Sequence, residues 1–196
     1  HSHMNVKDFQ VCVAERSEIK DFIETWHYSK SINGLHSDVC FKLLGEEGNI
    51  IGAAIFGKMA MHNQWKRFSD SEEKVIELRR LCCIDETPRN TESYFIGKML
   101  KWLKRNTKYE VVVSYADLEK GHEGTIYKAS NFTLLGFNKG APVIMWNGKS
   151  YHDKAIRTKY KGRLKPFAQR LKDALDAGEA HYQPTKGKFT YVYKLK

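Results

Sequence analysis

The order of sequence patterns predicts a single α/β (α+β) domain in which helices flank a mixed central β-sheet. Strand-like and helix-like segments alternate along the 196 residues, a length near that of one domain. Val111, Val112 and Val113 form a continuous apolar run, which is typical of a strand buried on both faces. The chain is 41% hydrophobic and 29% charged, a composition that argues against a fibrous or largely disordered protein.

The first half of the chain predicts a strand, a helix, a hairpin and a long strand. Apolar and polar side chains alternate over residues 9–14, and Ser17 is the predicted N-cap of the helix that follows. The apolar face of this helix consists of Ile19, Phe22, Ile23 and Trp26. The remaining segments are a hairpin of strands 39–44 and 50–56, a loop at 58–70 and a strand at 75–84.

The second half of the chain predicts three helices in all. It also predicts three further strands after the valine run. A helix from Ser93 to about residues 104–108 has a broad apolar face. That face consists of Phe95, Ile96, Met99, Leu100, Trp102 and Leu103. A short helix over 123–131 precedes strands 132–136 and 143–146, which we expect to form a hairpin. The last elements are a helix from Pro166, a favoured first position, to Gly178 and a strand at 189–195.

The sequence also predicts how the chain is divided into segments, where the protein is located and the state of its cysteines. Residues 1–4 resemble the remnant of a purification tag, residues 5–150 are expected to form the core, and residues 151–196 complete the same domain as a basic C-terminal extension. No apolar stretch is long enough to span a bilayer and no secretion signal is visible, so we expect a cytoplasmic protein without a membrane partner. The four cysteines form no CxxC pair, and we expect reduced thiols in core positions.

Positive charge is concentrated in the last quarter of the chain. The net charge is +10, and residues 149–196 hold 13 Lys and Arg against 4 Asp and Glu. Six of these cations fall within twelve residues: Lys154, Arg157, Lys159, Lys161, Arg163 and Lys165. Tyr151, His152 and Tyr160 are interleaved with them, so the segment could release counterions from a nucleic acid and stack on its bases. The alternative is a solvated face that aids solubility.

A phosphate site is one interpretation of the junction at residues 85–93. Arg89, Asn90, Thr91 and Ser93 adjoin the start of the long helix, where free N–H groups favour an anion. An ordinary capped helix start fits the same residues. No GxGxxG or GK[ST] motif is present, which argues against a P-loop nucleotide site.

Ionisable side chains follow the buried valine run. Ser114 and Asp117 come directly after it, and Tyr127 and Asn131 lie in the next helical segment. Open sheets place ligands at the ends of such strands, where Asp117 could accept a proton and Tyr127 could donate one. Each residue also fits a cap or a surface hydrogen bond.

Two further groups of polar residues are candidates for a site. His27 and Tyr28 end the first helix and could line a cleft, while His27 also fits a cation at a helix C-terminus. On the long strand, alternation places Glu77 and Arg79 on one face and Arg80 on the other. We expect at least one of these arginines to contact an acidic group.

Taken together, these residues resemble the Mom family of bacteriophage DNA-modification proteins, which are similar to the GNAT superfamily of N-acetyltransferases. The resemblance runs from about His27 to Trp146. Its most specific segments are His27-Tyr28-Ser29, Glu77-Leu78-Arg79-Arg80-Leu81, Pro88-Arg89-Asn90 with Ser93, Ser114-Tyr115-Ala116-Asp117, and the stretch from Gly121-His122 to Asn131-Phe132.

The resemblance implies a GNAT fold, in which one central strand splays from its neighbour and acetyl-CoA or a related acyl-CoA enters the gap. The cofactor contacts it implies are Arg89, Asn90, Thr91, Ser93, Ser114 and Asn131. Tyr127 corresponds to the tyrosine that GNAT enzymes often place near the thiol leaving group. The usual signature of Arg or Gln followed by glycines is absent from this junction.

The resemblance also implies an activity, the conversion of adenine in phage DNA to an N6-carbamoylmethyl form that host restriction does not cut. The implied partner is double-stranded DNA in the host-cell cytoplasm. We expect Arg79 and Arg80 to contact it, together with the six clustered cations, whose assignment rests on their charge. The implied catalytic residues are Asp117, Tyr127, His27 and Tyr28. Iron or another metal is a further candidate, with His27, Tyr28 and Asp117 as ligands.

Two other functions stay open at this point. One is a GNAT acetyltransferase acting on a protein or a small amine. The other is a basic nucleic-acid-binding module that keeps the fold without the chemistry.

Overall fold

A computed structural model describes residues 5–29, 31–121 and 124–196, except the side chain of Lys120. The α-helices within these ranges are α1 Arg16–Trp26, α2 Thr91–Asn106, α3 Thr125–Ala129 and α4 Pro166–Asp176. The strands are β1 Gln10–Ala14, β2 Val39–Leu44, β3 Ile50–Gly57, β4 Val75–Cys83, β5 Val111–Asp117, β6 Thr133–Asn138, β7 Val143–Trp146, β8 Lys149–His152, β9 Lys159–Tyr160, β10 Arg163–Leu164, β11 His181–Gln183 and β12 Lys188–Lys194. None of these helices is long and apolar enough to cross a membrane.

The described chain divides into two compact units. The first comprises the described parts of residues 1–116, 123–136 and 190–196, and the second those of residues 117–122 and 137–189. The predicted core of residues 5–150, with residues 151–196 completing it, stays a prediction. Residues 1–4 lie outside the described residues.

The first unit is built on a seven-stranded sheet of order β1-β2-β3-β4-β5-β12-β6. Its first four strands are antiparallel neighbours, which confirms the predicted hairpin of β2 and β3. β4 and β5 are parallel, because α2 carries the chain back between them. The sheet is therefore mixed, as the sequence predicts.

Apolar helix faces cover this sheet. Ile19 and Ile23 of α1 are fully buried in a cluster with Ile55 and Cys82 of the central strands, whereas Trp26 at the end of the predicted face is exposed. Five of the six residues predicted for the apolar face of α2 are buried, and Trp102 packs its ring edge-on against Phe41. Helix periodicity therefore identified the core faces.

The second unit has its own small core. A three-stranded sheet of order β11-β7-β8 packs with α4, and a separate hairpin pairs β9 with β10. The fully buried residues Ile144 and Leu171 join Ala174 and Ala180 at its centre. Pro166 begins α4, which confirms the predicted start of that helix.

The predicted hairpin of strands 132–136 and 143–146 is wrong. β6 lies at the edge of the large sheet beside β12, and β7 pairs with β8 and β11. The final strand, confirmed as β12, supplies the neighbour that β6 was expected to find in β7. Strands that are close in sequence usually pair, but here β12, which is distant in sequence, pairs with β6 instead.

Several predicted boundaries also shift. Ser17 is not the N-cap of α1; Glu15 occupies that position, and its N–H donates to the Glu18 carboxylate at 2.6 Å. α2 begins two residues before Ser93. The predicted loop at 58–70 contains a turn of 3₁₀ helix at Gln64–Arg67. The helix expected over 123–131 is the shorter α3, and Glu123 lies outside the described residues.

Candidate functional site

A split between two parallel strands organises the site in the first unit. β4 and β5 pair at Val75 with Val111, at Ile76 with Val112 and at Glu77 with Val113. Both strands continue beyond these pairs, to Cys83 and Asp117, and within the described residues they pair with each other no further. Beyond these pairs the facing edges of β4 and β5 no longer bond to each other, so their backbone groups need other partners.

Ser114 lies at the point where the strands separate. The sequence placed residues 114–117 after the buried strand, but they are the second half of β5, and Ser114 is fully buried. Its Oγ forms no complete hydrogen bond with any described residue, and neither does Oγ1 of Thr190 on the neighbouring strand β12. A buried hydroxyl without a partner costs about 1–3 kcal/mol, so a ligand that bonds to it would recover that free energy.

Tyr127 lies on α3, which packs against α2. Its ring contacts the rings of Phe132 and Tyr191, with centroids 5.5 and 5.4 Å away. Gly124 is required before this helix: its φ is +86°, and a Cβ there would meet the Tyr191 ring at 2.2 Å. The aromatic packing fixes the position of the Tyr127 hydroxyl.

Burial raises the pKa of Tyr127 to about 12. The nearby Ser114 hydroxyl lowers this pKa, and the negative charges of Glu92 and Glu77 raise it. Ser114 therefore lies close to the Tyr127 hydroxyl, and α2 packs against the helix that carries it. A phenol with this pKa keeps its proton at neutral pH and can act as an acid.

We expect Tyr127→Phe to slow turnover about tenfold without weakening DNA binding, since one hydrogen bond of roughly 1.4 kcal/mol is lost. Because the raised pKa favours the protonated phenol, the wild-type rate should show no fall from tyrosine ionisation up to about pH 10. A pH–rate profile and DNA binding measured on both proteins test this, with Tyr109→Phe as the matched loss of a hydroxyl. Equal turnover of Tyr127→Phe and wild type would assign Tyr127 to packing.

The predicted anion site lies at the start of α2. Asn90 is the N-cap, and its side chain makes no capping hydrogen bond. Thr91 is fully buried and its Oγ1 donates to the Pro88 carbonyl, while Ser93 Oγ donates to the Asn90 carbonyl. Arg89 is exposed beside them. Arg89 and the N–H groups of the first turn are therefore the groups that suit a phosphate here.

His27 and Tyr28 follow α1. His27 is buried, and its Nδ1 accepts from the Ser29 N–H at 3.1 Å and contacts Ser29 Oγ at 2.8 Å. Because a backbone N–H can only donate, Nδ1 carries no proton in this arrangement, which argues against His27 as a cation at the helix end. Tyr28 is 53% exposed and its ring centroid lies 4.2 Å from that of His27.

The Glu77 carboxylate marks the last strand pair before the split. It lies 3.4 Å from Arg79 Nε and accepts from the Ala60 N–H at 3.2 Å, which confirms the expected contact between an arginine and an acidic group. Arg79 is the extra residue of a β-bulge, because Leu78 and Arg80 pair with consecutive residues of β3. Arg80 donates to the Ser31 carbonyl. The DNA contacts proposed for both arginines stay a prediction.

Arg79→Met should lower the free energy of unfolding by about 2 kcal/mol, because the nearly buried Glu77 carboxylate would lose its contact with the Arg79 guanidinium. Denaturant unfolding measures this, with Arg105→Met, an exposed arginine at the end of α2, as the control. Unchanged stability with a lower salt dependence of DNA binding would contradict the structural role and favour DNA contact.

Asp117 ends β5 and is the first residue of the second unit. Its Oδ1 accepts from the Glu119 N–H at 3.0 Å, so it also caps the 3₁₀ helix Leu118–Lys120. No three His, Cys, Asp or Glu side chains come together as a metal site among the described residues. The ligand set of His27, Tyr28 and Asp117 that the resemblance implies includes a tyrosine and stays a prediction.

The predicted DNA-contacting cations lie in the second unit. Lys154, Arg157, Lys159, Lys161, Arg163 and Lys165 are all exposed. Arg157 forms an ion pair with Asp153 at 3.6 Å. The remaining five make no ion pair with any described residue, which leaves their charge available to a polyanion.

Sequence reasoning assigned no function to Glu77, Thr190 or Tyr191. Thr190 and Tyr191 belong to β12, which joins the site from the far end of the chain. Alternation along the final strand was visible, but no pattern showed which strand it would pair with. His122, part of one motif of the resemblance, lies outside the described residues.

Comparison with known proteins gives the relatives of this chain. The model of the Mom protein family matches residues 8–196. The protein named methylcarbamoylase mom of Escherichia phage Mu is 30% identical over 140 residues. That match covers 68% of this chain and 56% of the phage protein, so the chain spans little more than half of that relative's length.

Solved structures with similar folds are acetyltransferases. A GNAT family N-acetyltransferase, YhbS of Escherichia coli in complex with CoA, has a TM-score of 0.56 at 12% identity, covering 100% of this chain and 84% of that one. A Bacillus subtilis acetyltransferase in complex with CoA has a TM-score of 0.55 at 10% identity, covering 96% and 99%. Vibrio cholerae spermidine N-acetyltransferase in complex with CoA and spermine has a TM-score of 0.55 at 8% identity, covering 96% of each chain. The chain belongs to the Mom protein family and has the fold of the GNAT acetyltransferases.

Proposed function

We propose that this chain is a transferase that modifies DNA by placing a carbamoylmethyl group on N6 of adenine. The observation that carries the proposal is the split between β4 and β5, with the Ser114 hydroxyl buried and without a complete hydrogen bond at its apex. Membership of the Mom family, which includes a phage methylcarbamoylase, supports the chemistry. Modification of this kind would shield phage DNA from host restriction.

The donor is acetyl-CoA or a related acyl-CoA. The residues at the split suit such a molecule, because Ser114 has unused hydrogen-bonding capacity and the start of α2 offers N–H groups to a pyrophosphate. Arg89, Asn90 and Ser93, with the N–H groups of the first turn, would hold the phosphates, and Asn131 would add a contact near α3. Thr91 would not contact them, because it is buried and its hydroxyl donates to the Pro88 carbonyl. When bound, the thioester would supply an activated acyl group and a thiol leaving group. Acyl transfer to N6 alone gives an N-acyl adenine, whereas the carbamoylmethyl product bonds N6 to a methylene carbon. That product therefore requires, beyond the thioester, a source of the amide nitrogen and a separate activation of the methylene carbon.

Tyr127 and Asp117 would handle the protons. Tyr127 keeps its proton at neutral pH and is placed beside Ser114, so it can protonate a leaving thiolate. Adenine N6 is a weak nucleophile because its lone pair is delocalised into the ring, and it loses one proton when the new N–C bond forms. Asp117, three residues beyond Ser114 on β5, is proposed to accept or orient that proton.

His27 and Tyr28 are proposed to line the acceptor side of the site. The Ser29 N–H fixes the unprotonated nitrogen of His27, and the exposed ring of Tyr28 lies against the His27 ring. Double-stranded DNA would be held by the exposed cations of residues 154–165 through its phosphates. A stacked adenine must leave the helix before its N6 can reach any enclosed site.

Mass spectrometry of deoxynucleosides from cells that express the protein tests this function. A deoxyadenosine carrying carbamoylmethyl is expected with the wild type. Plain acetyl transfer would give a product that is lighter by one NH unit, so the two modifications are distinguished directly.

The other outcomes identify the other functions. Unmodified DNA together with CoA release from acetyl-CoA on amines would indicate an acetyltransferase of proteins or small amines. Unmodified DNA, no CoA release and tight DNA binding would indicate a binding module. Either result would overturn the proposed function.

A further inference from the structure

The second unit contains a short β-hairpin with a two-residue turn, and an aromatic residue adjoins that turn. β9 and β10 pair Tyr160 with Arg163 and Lys159 with Leu164, and the Lys165 N–H donates to the Thr158 carbonyl at 2.8 Å. The turn consists of Lys161 and Gly162, with φ values of 51° and 77°. Positive φ at both positions is the type I′ turn, which joins short strands without splaying them.

The side chain of Tyr160 is exposed to solvent. It is 66% exposed, the highest value among the exposed large hydrophobic side chains of the described residues. Lys161 Nζ lies 5.4 Å from the centroid of its ring. Its exposed ring lies beside a cation, an arrangement that suits stacking on a base next to a phosphate.

Lys161 occupies a position that disfavours lysine. Type I′ turns strongly prefer Asn or Asp before Gly, because these residues tolerate positive φ and other side chains are strained there. Strain that a common substitution would relieve points to a use for the residue that is present. The ammonium at the tip is the feature that asparagine would lose.

The opposite side of the hairpin borders a basic groove. The groove has a volume of about 600 Å³ and lies between the hairpin and α4, lined by Ile156, Arg157, Lys159, Gly162, Leu164 and Lys172. Three of these six residues are cations and none is acidic. The hairpin therefore has a stacking group at its tip and a phosphate-attracting groove behind it.

We infer that the β9–β10 hairpin enters duplex DNA, where Tyr160 stacks between base pairs and Lys161 together with the groove at Lys172 contacts the flanking phosphates. Inserted side chains unstack base steps and lower the cost of extruding a nucleotide. The inference rests on the proposed DNA substrate and assigns to this hairpin the opening of the duplex.

The insertion is tested with DNA duplexes in which 2-aminopurine replaces one adenine. The fluorescence of this base analogue increases when it unstacks. We expect the full-length wild-type protein to raise the fluorescence and Tyr160→Ala to abolish the rise with an affinity loss of about tenfold. Tyr160→Phe should behave as wild type, because it keeps the ring. Tyr182→Ala, which removes a 49% exposed tyrosine from β11 of the same unit, is the matched control and should also behave as wild type.

Lys161→Asn separates charge from folding. It should leave the melting temperature unchanged or higher, since asparagine suits the turn, while the slope of log affinity against log salt falls by about 0.9. Lys172→Gln should lower the slope by a similar amount.

Wild-type fluorescence and affinity in Tyr160→Ala, or an equal loss in Tyr182→Ala, would overturn the inference. So would a larger effect of Tyr160→Ala on single strands than on duplexes, or tighter binding of an RNA duplex of the same sequence. These measurements need no catalysis. If the protein opens duplex DNA but leaves adenine unmodified, the proposed activity is refuted and the insertion of Tyr160 is supported. If adenine is modified but Tyr160→Ala behaves as wild type, the activity is supported and the insertion is refuted.

Discussion

Asp117→Asn should abolish DNA modification while leaving the fold intact. The side chain caps Leu118–Lys120 through Oδ1, and asparagine keeps an oxygen of the same shape for the Glu119 N–H. The substitution removes only the negative charge that, in the proposed function, accepts or orients a proton from N6. A loss of about 100-fold or more is expected for a general base, measured as modified deoxyadenosine per cell genome at equal protein level and equal melting temperature.

Glu119→Gln is the matched control for this experiment. Glu119 is two residues from Asp117, and its Oε1 accepts from the Lys186 N–H at 2.5 Å, an acceptor that glutamine retains. Loss of a carboxylate charge at this neighbouring position should leave modification unchanged. If Asp117→Asn modifies DNA at the wild-type rate, Asp117 is neither the base nor an orienting group.

Sequence patterns predicted the elements whose information is local. The hairpin of β2 and β3 follows from two apolar runs around Glu46-Glu47-Gly48-Asn49, and α2 from apolar residues at helical spacing. Pro166 marked the first residue of α4 because its missing N–H is harmless there. In each case a few adjacent residues determine the structure.

Pairing between distant segments was not predictable in the same way. Nothing near residues 132–136 indicates that their neighbour is β12 rather than β7, because any alternating strand can pair with that edge. The bulge at Arg79 depends likewise on how β3 meets β4. The short strands β8 to β11 contain two to four residues each, too few to show a period of two.

The candidate site shows the same division. Ser114 and Tyr127 were selected from the motif after the valine run, and the structure places them together. The split that makes Ser114 available depends on where the pairing of β4 and β5 stops, at Glu77 and Val113. That endpoint is a property of two strands and the helix between them, which no single motif encodes.

Neutralising three cations of the second unit should weaken DNA binding strongly. In the triple variant Lys159→Gln, Arg163→Gln and Lys165→Gln, each lost phosphate contact lowers the slope of log affinity against log salt by about 0.9, or up to roughly 2.7 in all. Affinity near physiological salt should fall on the order of 100-fold. The loss should be similar for every DNA sequence, because phosphate contacts position a protein without reading bases. Fluorescence anisotropy over a range of salt concentrations measures both quantities.

A second triple variant with the same change in net charge serves as control. Lys101, Lys104 and Arg105 are exposed cations on α2 of the first unit, and their replacement by glutamine alters the overall charge equally. If net charge alone attracts DNA, the two variants should lose affinity alike, whereas local phosphate contacts predict a lower salt slope only for the first. An unchanged slope in the first variant would assign residues 154–165 to a solvated face, and the DNA path would then have to be sought near Arg79, Arg80 and the turn that contains Trp65.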